Sequence, residues 1–290
     1  MKTLKVNEFL KISKFEITFL VDMVAVAGFL SVKSSLNHFI ILVPLLIAGT
    51  LASMSASIFN NVYDMDIDKK MKRTSSRESI INHTNFKSIS AISGLMLLAA
   101  IVIGVVFINV LSTIFIVAGF ASYVFLYTIL LKRRTSWNIV IGGIAGSFPA
   151  LAGSTALFGN INLTSIFIAS LVFMWTPTHF WSLATNNADD YTAANIPMLP
   201  SKVGIKRGAF WILVNTVVLI SLSVLPFFFR EIKVGLPYYA LAIVLDAYLL
   251  YSVLRPFTHD YSKTYFKKAF HFSNMYLLIL LIALFFVNVV

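Results

Sequence analysis

The sequence predicts an all-α polytopic membrane protein, a bundle of nine transmembrane helices. Three observations carry that expectation. Of 290 residues, 58% are hydrophobic and only 12% charged, against about 25% charged in an ordinary soluble domain. Apolar runs of about 20 residues, enough to cross a hydrocarbon core of roughly 30 Å, recur along the whole length. The charges, net +11, are gathered into the short polar breaks between those runs.

Taken in order, the apolar runs cover about 17–33, 38–59, 89–108, 110–130, 138–158, 163–184, 209–229, 236–254 and 270–289. The third and fourth are nearly continuous, and Asn109 with Ser112 and Thr113 marks the turn between them. Before the first run, Met1 to Phe15 lacks a small-residue cleavage site after a short apolar core, so no cleaved signal peptide is expected. Threading the nine runs through a bilayer puts every Lys and Arg on one side except Lys33, Arg230 and Lys233. Because cytoplasmic loops carry the basic excess, the N-terminus is expected in the cytoplasm and the C-terminus outside a multi-pass cell membrane. A net charge this positive would suggest nucleic acid in a soluble protein; in loops flanking apolar spans it reports sidedness, and no nucleic-acid partner is expected. The chain has no cysteine, so a metal could be held only by oxygen or imidazole. No second domain or repeat is visible, and residues 1–290 read as one membrane domain.

Two polar stretches break the apolar pattern in a way that suggests chemistry. The first is Asn60-Asn61-Val62-Tyr63-Asp64-Met65-Asp66-Ile67-Asp68, at the cytoplasmic end of the second run. If the helix continues, Asn60, Asp64 and Asp68 stack on one face, about 6 Å apart per step. Close carboxylates repel unless a cation neutralises them, and Mg²⁺ prefers such oxygen donors together with water and substrate phosphate. Lys69, Lys70, Lys72, Arg73 and Arg77 follow directly, and Arg can grip phosphate in bidentate fashion. A helix that simply ends in a solvated, mixed-charge loop is the competing reading of this stretch taken alone.

The second stretch runs from Trp175 to Pro200 and contains His179, then Asn186-Asn187-Ala188-Asp189-Asp190-Tyr191, then Ile196-Pro197-Met198-Leu199-Pro200. The charge count places it on the same side as the first. Two acidic loops can therefore face one cavity.

These motifs resemble the UbiA superfamily of intramembrane prenyltransferases. Asn60-x3-Asp64-x3-Asp68 with Met71-Lys72-Arg73-Thr74 and Arg77 looks like its first Asp-rich signature. The Asp-Tyr-x-Ala-Ala-Asn-Ile-Pro-x-Leu-Pro run is similar to the branch of the superfamily that farnesylates haem. Tyr127-Thr128-x3-Lys132-Arg133-Arg134-Thr135, Asn138 through Pro149, and Phe270-His271-Phe272-Ser273 with Tyr276 agree, so the likeness runs from about residue 11 to 280. Two departures stand out. Where the family carries Lys-Pro at the start of the first span, this chain has Lys14-Phe15-Glu16, and Asn186 and Asn187 stand where relatives carry a basic residue.

The resemblance implies a nine-helix bundle around a central cavity open to the cytoplasm, and transfer of a farnesyl group from farnesyl diphosphate to the vinyl group of protoheme IX. It implies Mg²⁺, two ions bridging the diphosphate, held by Asn60, Asp64 and Asp68 on one loop and by Asp189 and Asp190 on the other. Arg73, Arg77 and Lys132 would contact diphosphate, with Asp64, Asp68 and Lys132 as the catalytic set and Tyr191 in the substrate site. Association with haem A synthase or with terminal oxidase assembly follows from the same likeness. His179 either meets the haem, at its iron or a propionate, or is hydrogen-bonded within the bundle, because a polar side chain at membrane depth needs a partner. Tyr123, Phe125 and Tyr127 read as packing residues, and Asp22 and Asp246, inside spans, receive no role. A related prenyltransferase acting on a quinone precursor or lipid phosphate is the alternative, and a transporter is the reading from another class. Transporters show pseudo-symmetric halves with matched helix breaks, a pattern this sequence lacks.

Overall fold

A computed structural model describes residues 5–33, 35–77, 79–82 and 85–285. Lys2 and residues 286–289 of the ninth expected span lie outside these. All regular secondary structure among the described residues is helical, without a strand. In chain order the helices are α1 (Val6–Ile12), α2 (Phe15–Leu30), α3 (Leu42–Tyr63), α4 (Met65–Asp68), α5 (Phe86–Phe107) and α6 (Val110–Ala121). There follow α7 (Asn138–Gly142), α8 (Phe148–Thr155), α9 (Leu163–Asn186), α10 (Ala188–Ala193), α11 (Leu199–Val203), α12 (Ile205–Ser223), α13 (Leu236–Thr258) and α14 (Lys263–Leu284).

Seven helical stretches are long and apolar enough by themselves to cross a membrane: Ser35–Tyr63, Phe86–Phe107, Val110–Leu131, Leu163–Asn186, Ile205–Phe227, Leu236–Thr258 and Lys263–Leu284. The other two expected spans are built differently. The first is α2, of 16 residues. The fifth is α7 and α8 joined through a 3₁₀ turn at Gly143–Gly146, so glycine-rich 142–146 gives up the regular helix that its hydropathy suggested.

Between α2 and α8 glycine provides closeness. A methyl on Gly28 of α2 would sit 2.0 Å from the Ala150 carbonyl oxygen of α8, and one on Gly153 of α8 would sit 2.0 Å from the Ala25 carbonyl oxygen of α2. Small residues thus face each other reciprocally, the arrangement expected where lipid removes the hydrophobic drive for helix association and packing must replace it. The turn at Asn109 is also cut by polar chemistry. Its side-chain oxygen accepts the Ser112 N–H at 2.8 Å, while its amide donates to the Thr155 and Ala156 carbonyls at 2.8 and 3.0 Å. One residue caps the start of α6 and the end of α8.

α9 is the most buried of the long helices and packs against α14, α12, α8 and α2. The outward faces of α5 and α13 carry bare Leu95, Leu98, Val106, Ile243 and Val244, as a lipid-facing surface requires. Of the two acids within expected spans, Asp246 is buried and accepts from Tyr276 Oη at 2.8 Å and Ser223 Oγ at 2.6 Å. Asp22 accepts from Thr50 Oγ1 at 2.8 Å.

Candidate functional site

The first acidic loop forms because α3 stops at Tyr63 and Asp64 takes up φ −93°, ψ 12° before α4 resumes for one turn. The four-residue spacing survives this break. Asp64 N–H reaches the Asn60 carbonyl at 2.9 Å, and Asp68 N–H reaches the Asp64 carbonyl at 2.8 Å. Asn60, Asp64 and Asp68 are buried. The side chains of the first two meet, with Asn60 Nδ2 donating to Asp64 Oδ2 at 2.8 Å. Asp68 instead turns toward Arg77, whose Nη1 lies 3.0 Å from Oδ2.

Cations converge on this buried pair from distant parts of the chain. Lys132 Nζ donates to Asp64 Oδ2. Lys14 Nζ donates to Asn60 Oδ1 at 2.7 Å and reaches Tyr123 Oη at 3.1 Å. Arg133 forks onto Asp66 with two bonds of 2.8 Å and lies 3.5 Å from Asp64 Oδ1. That fork holds the Asp66 carboxyl below the usual carboxylate range. Isolated carboxylates could not be buried here; opposite charge and hydrogen bonds make it tolerable.

A stretch of π-helix, Ser122–Leu131, continuing α6, places Lys132. Its wider turn carries the Lys132 N–H to the Tyr127 carbonyl at 2.8 Å and Thr128 Oγ1 to the Tyr123 carbonyl at 2.8 Å. Tyr123, Thr128 and Lys132 therefore share one face, and Thr128 Oγ1 accepts from Asn60 Nδ2 at 3.1 Å. Wide turns of this kind concentrate at functional sites. Phe125, on another face, is 54% exposed and lies toward lipid, whereas Tyr123 enters the site, beyond the packing role expected of it.

The second acidic loop begins where α9 ends at Asn186. Asp190 Oδ2 accepts the backbone N–H of Arg73 at 3.1 Å, which joins the two loops directly. Between them lies a cleft of about 570 Å³ lined by Lys70, Lys72, Arg73, Asn186, Asn187, Asp189 and Asp190. Asp189 projects outward and pairs with Lys263 at 2.6 Å, which lowers its carboxyl pKa. Tyr191 is 4% exposed and packs in the core beside Ile67 and Met71, so its ring anchors one loop against the other. His179 lies in α9, buried, its imidazole stacked 4.3 Å from Trp175.

Among the described residues, the five expected metal ligands are not gathered into a single shell. Asn60 and Asp64 touch, Asp68 is held by Arg77, and Asp189 and Asp190 stand across the cleft. The donor set nevertheless fits Mg²⁺. Asp64 Oδ1 is buried without a hydrogen bond, a ready oxygen donor, and Mg²⁺ completes its shell from water and phosphate.

Three further residues belong to this site, Lys14, Tyr123 and Thr128. Lys14 had a visible signal, the last of the lysines before the first apolar run, at the position of the family's Lys-Pro. Its backbone adopts φ 52°, ψ 53° as it enters α2, which explains how a chain lacking the Lys-Pro pattern still turns the amine inward. Thr128 was visible only within the Tyr127-Thr128-x3-Lys132 likeness and Tyr123 only as a packing aromatic; the π-helix brings both to the Lys132 face.

A family model described as the UbiA prenyltransferase family matches residues 22–287. The chain is 59% identical over 278 residues to a protein named protoheme IX farnesyltransferase 2 from Picrophilus torridus, covering 96% of both chains. It is 37% identical over 287 residues to a protoheme IX farnesyltransferase of Saccharolobus islandicus, covering 99% of this chain and 98% of that one. In fold it is similar to a structure concerning digeranylgeranylglyceryl phosphate synthase, with TM-score 0.77 and 17% identity, covering 98% of each chain. A UbiA homologue from Archaeoglobus fulgidus bound to GPP and Mg²⁺ superposes with TM-score 0.69 at 13% identity, over 98% of this chain and 100% of that one. With a matching family model over nearly the whole length and relatives this similar, the chain belongs to the UbiA prenyltransferase family.

Proposed function

We propose that this protein transfers the farnesyl group of farnesyl diphosphate to the vinyl group of protoheme IX, with addition of water, giving haem O and diphosphate. The observation that carries it is the buried Asn60–Asp64 pair held by Lys14 and Lys132, with Asp68 bound to Arg77 one turn further on, in a chain 59% identical to a protein named for that reaction. Support for a magnesium-dependent donor half comes from the fold's likeness to a homologue bound to GPP and Mg²⁺.

In this reading residues 1–290 form one domain that crosses the cell membrane nine times, with the N-terminus and the mouth of the cavity cytoplasmic and the C-terminus outside. Asn60, Asp64, Asp68, Asp189 and Asp190 would hold two Mg²⁺ ions. Bound there, Mg²⁺ offsets the charge that grows on diphosphate as it departs. The chain's own part begins with the cations. Lys132 and Arg77 exchange their carboxylate partners for phosphate oxygens, Arg73 at the cleft wall joins them, and Lys14 adds a donor from beneath. All are positioned before the reaction starts, so no reorganisation is needed as the C–O bond breaks. Tyr123 and Tyr127, stacked at 5.7 Å, wall the place where the allylic cation forms and face it with π density. Tyr191 keeps the loops together. Haem A synthase or a terminal oxidase assembly factor would receive the product.

Purified protein incubated with farnesyl diphosphate and Mg²⁺, and with haem b, 4-hydroxybenzoate or a glyceryl phosphate lipid as acceptor, tests the proposal by product mass. Farnesylated haem formed only with Mg²⁺ supports it. Product with either other acceptor and none with haem overturns the haem assignment and leaves a prenyltransferase with a different acceptor.

A further inference from the structure

We infer that the end of the bundle opposite the diphosphate cleft holds a binding site for the phosphate-bearing headgroup of a membrane lipid, built around Lys33 and Lys233.

The site is a second cavity, of about 210 Å³, lined by the C-terminal end of α2, the end of α8, the start of α9 and the loop that joins α12 to α13. It stands apart from the catalytic cleft. The 16 residues of α2 and the 24 of α9 separate the two by about 24 and 36 Å of helix. Charge distinguishes it further. Threaded through the bilayer, the chain leaves three cations at this end, Lys33, Arg230 and Lys233, and two of the three line this cavity. Both are exposed, and among the described residues neither pairs with a carboxylate. Two ammonium groups on one small hollow gain a shared partner when an anion enters it.

The backbone that carries them is already held. Asn162 Nδ2 donates to Ser31 Oγ at 3.0 Å, which ties the end of α2 to the start of α9. The Lys233 N–H donates to Thr164 Oγ1 at 3.0 Å, which ties the loop to the same helix. Ile232, 6% exposed, packs in the core, so its neighbours Glu231 and Lys233 are pinned where both line the cavity. Backbone ordering therefore adds little to the cost of binding.

Size and lining define the ligand. The volume is below the roughly 300 Å³ at which pockets for drug-sized molecules begin, so it suits a headgroup and excludes a farnesyl chain. Phosphate oxygens give the two lysines charge-assisted partners. Glu231 and Asn160, also in the lining, offer acceptors for hydroxyls such as those of a phosphoglycerol group. A free phosphate would leave the rest of the lining idle. Phe158 and Leu163 line the cavity and are 56% and 46% exposed, and Phe228 and Phe229, beside Arg230, are bare as well. Apolar side chains left uncovered at the end of a membrane bundle meet lipid, so an acyl chain can lie along them while its headgroup enters the cavity. Basic pockets between membrane helices take anionic headgroups in this manner.

The test weighs lipid adducts by native mass spectrometry. The full chain, purified in detergent and stripped of lipid, is incubated with phosphatidylglycerol, phosphatidylcholine or inorganic phosphate. The wild type should retain one phosphatidylglycerol and hold it about 10-fold or more tightly than phosphatidylcholine. The double variant Lys33→Ala/Lys233→Ala should bind phosphatidylglycerol about 10-fold or more weakly, the scale of two lysines beside an anionic headgroup. Arg230→Ala removes a cation from the same end but outside the cavity and should bind as the wild type does. All three substituted side chains are exposed, so the lipid-free proteins should melt together and bind farnesyl diphosphate alike. Equal retention by the double variant, or an equal loss in Arg230→Ala, overturns the site. Inorganic phosphate that is retained by the wild type and displaces the lipid overturns the lipid as the source of the anion.

Discussion

Lys14 Nζ lies 2.7 Å from Asn60 Oδ1, a contact that joins residues 46 apart and ties the start of α2 to the end of α3 inside the site. The amine is buried. Burial first, and then the neighbouring charges of Arg77 and Lys132, push its pKa well below that of a free lysine. An amine kept in so crowded a place gains a partner when an anion such as diphosphate arrives, which favours its protonated form.

Lys14→Gly should separate stability from function. The residue's φ of 52° is left-handed, where a side chain costs about 1 kcal/mol or more and glycine costs nothing. The variant is expected to melt no lower than the wild type while its kcat/KM for farnesyl diphosphate falls about 10-fold, the scale of a lost charge-assisted bond. Undiminished kcat/KM would remove Lys14 from the site.

Asp64→Ala should abolish turnover, by at least about 100-fold, the scale of losing one preorganised electrostatic contact. The bundle should remain folded, because Arg133 keeps its fork on Asp66 and its bond to the Tyr63 carbonyl, and a melting curve beside the wild type checks this. Product formation by steady-state assay at saturating Mg²⁺ decides; surviving activity would sink the metal assignment.

Asp66 lies two residues away and is predicted to behave oppositely. Its carboxylate is exposed and paired with Arg133, and such pairs contribute about 1 kcal/mol or less. Asp66→Asn should leave turnover within a few-fold of the wild type. Because Arg133 lowers the folded pKa of Asp66, the pair's contribution is complete above the ordinary aspartate range and fades as pH falls through the lowered value. Between pH 6 and 8 the difference in melting temperature between the two proteins should therefore be flat; a slope there would contradict this account.

The bond from Arg73 N–H to Asp190 joins the two acidic loops, so Asp190→Ala should raise the KM for farnesyl diphosphate by about 10-fold. Asp189, exposed beside Lys263, should show a smaller change on substitution by Asn. The reverse order in measured KM values would shift the principal role in this loop to Asp189.

Gly28→Ala should lower the melting temperature sharply, since its methyl would overlap the Ala150 carbonyl of α8 and helix backbones cannot yield cheaply; a cost of about 1 to 3 kcal/mol is expected. Gly94→Ala in α5, with nothing within 4 Å of the added methyl, should be neutral or slightly stabilising. Equal effects at both positions would refute the close α2–α8 crossing.

Much of this architecture was legible because a bilayer restricts the chain so severely. Hydrophobic length selects crossings, and backbone groups without water must close their hydrogen bonds within helices, so the runs at 86–107, 163–186 and 236–258 appear close to where composition puts them. Local spacing likewise brought Asn60 beside Asp64, because a four-residue interval is a neighbour relation in any helix. Composition could not see that 142–146 would abandon helix for the turn between α7 and α8, where Gly142 meets Tyr127 and Gly143 and Gly146 meet Thr176 and Val172 of α9. Nor could it see the choice of partners. Whether Asp68 meets Arg77, whether Asp190 reaches Arg73 and whether His179 meets Ser273 are set by groups brought from up to 117 positions away. Sequence determined the solvent, the helices and the chemistry available at each end; tertiary packing decided the pairings, because electrostatic and hydrogen-bond energies fall off within a few ångströms and depend on contacts that no local pattern contains.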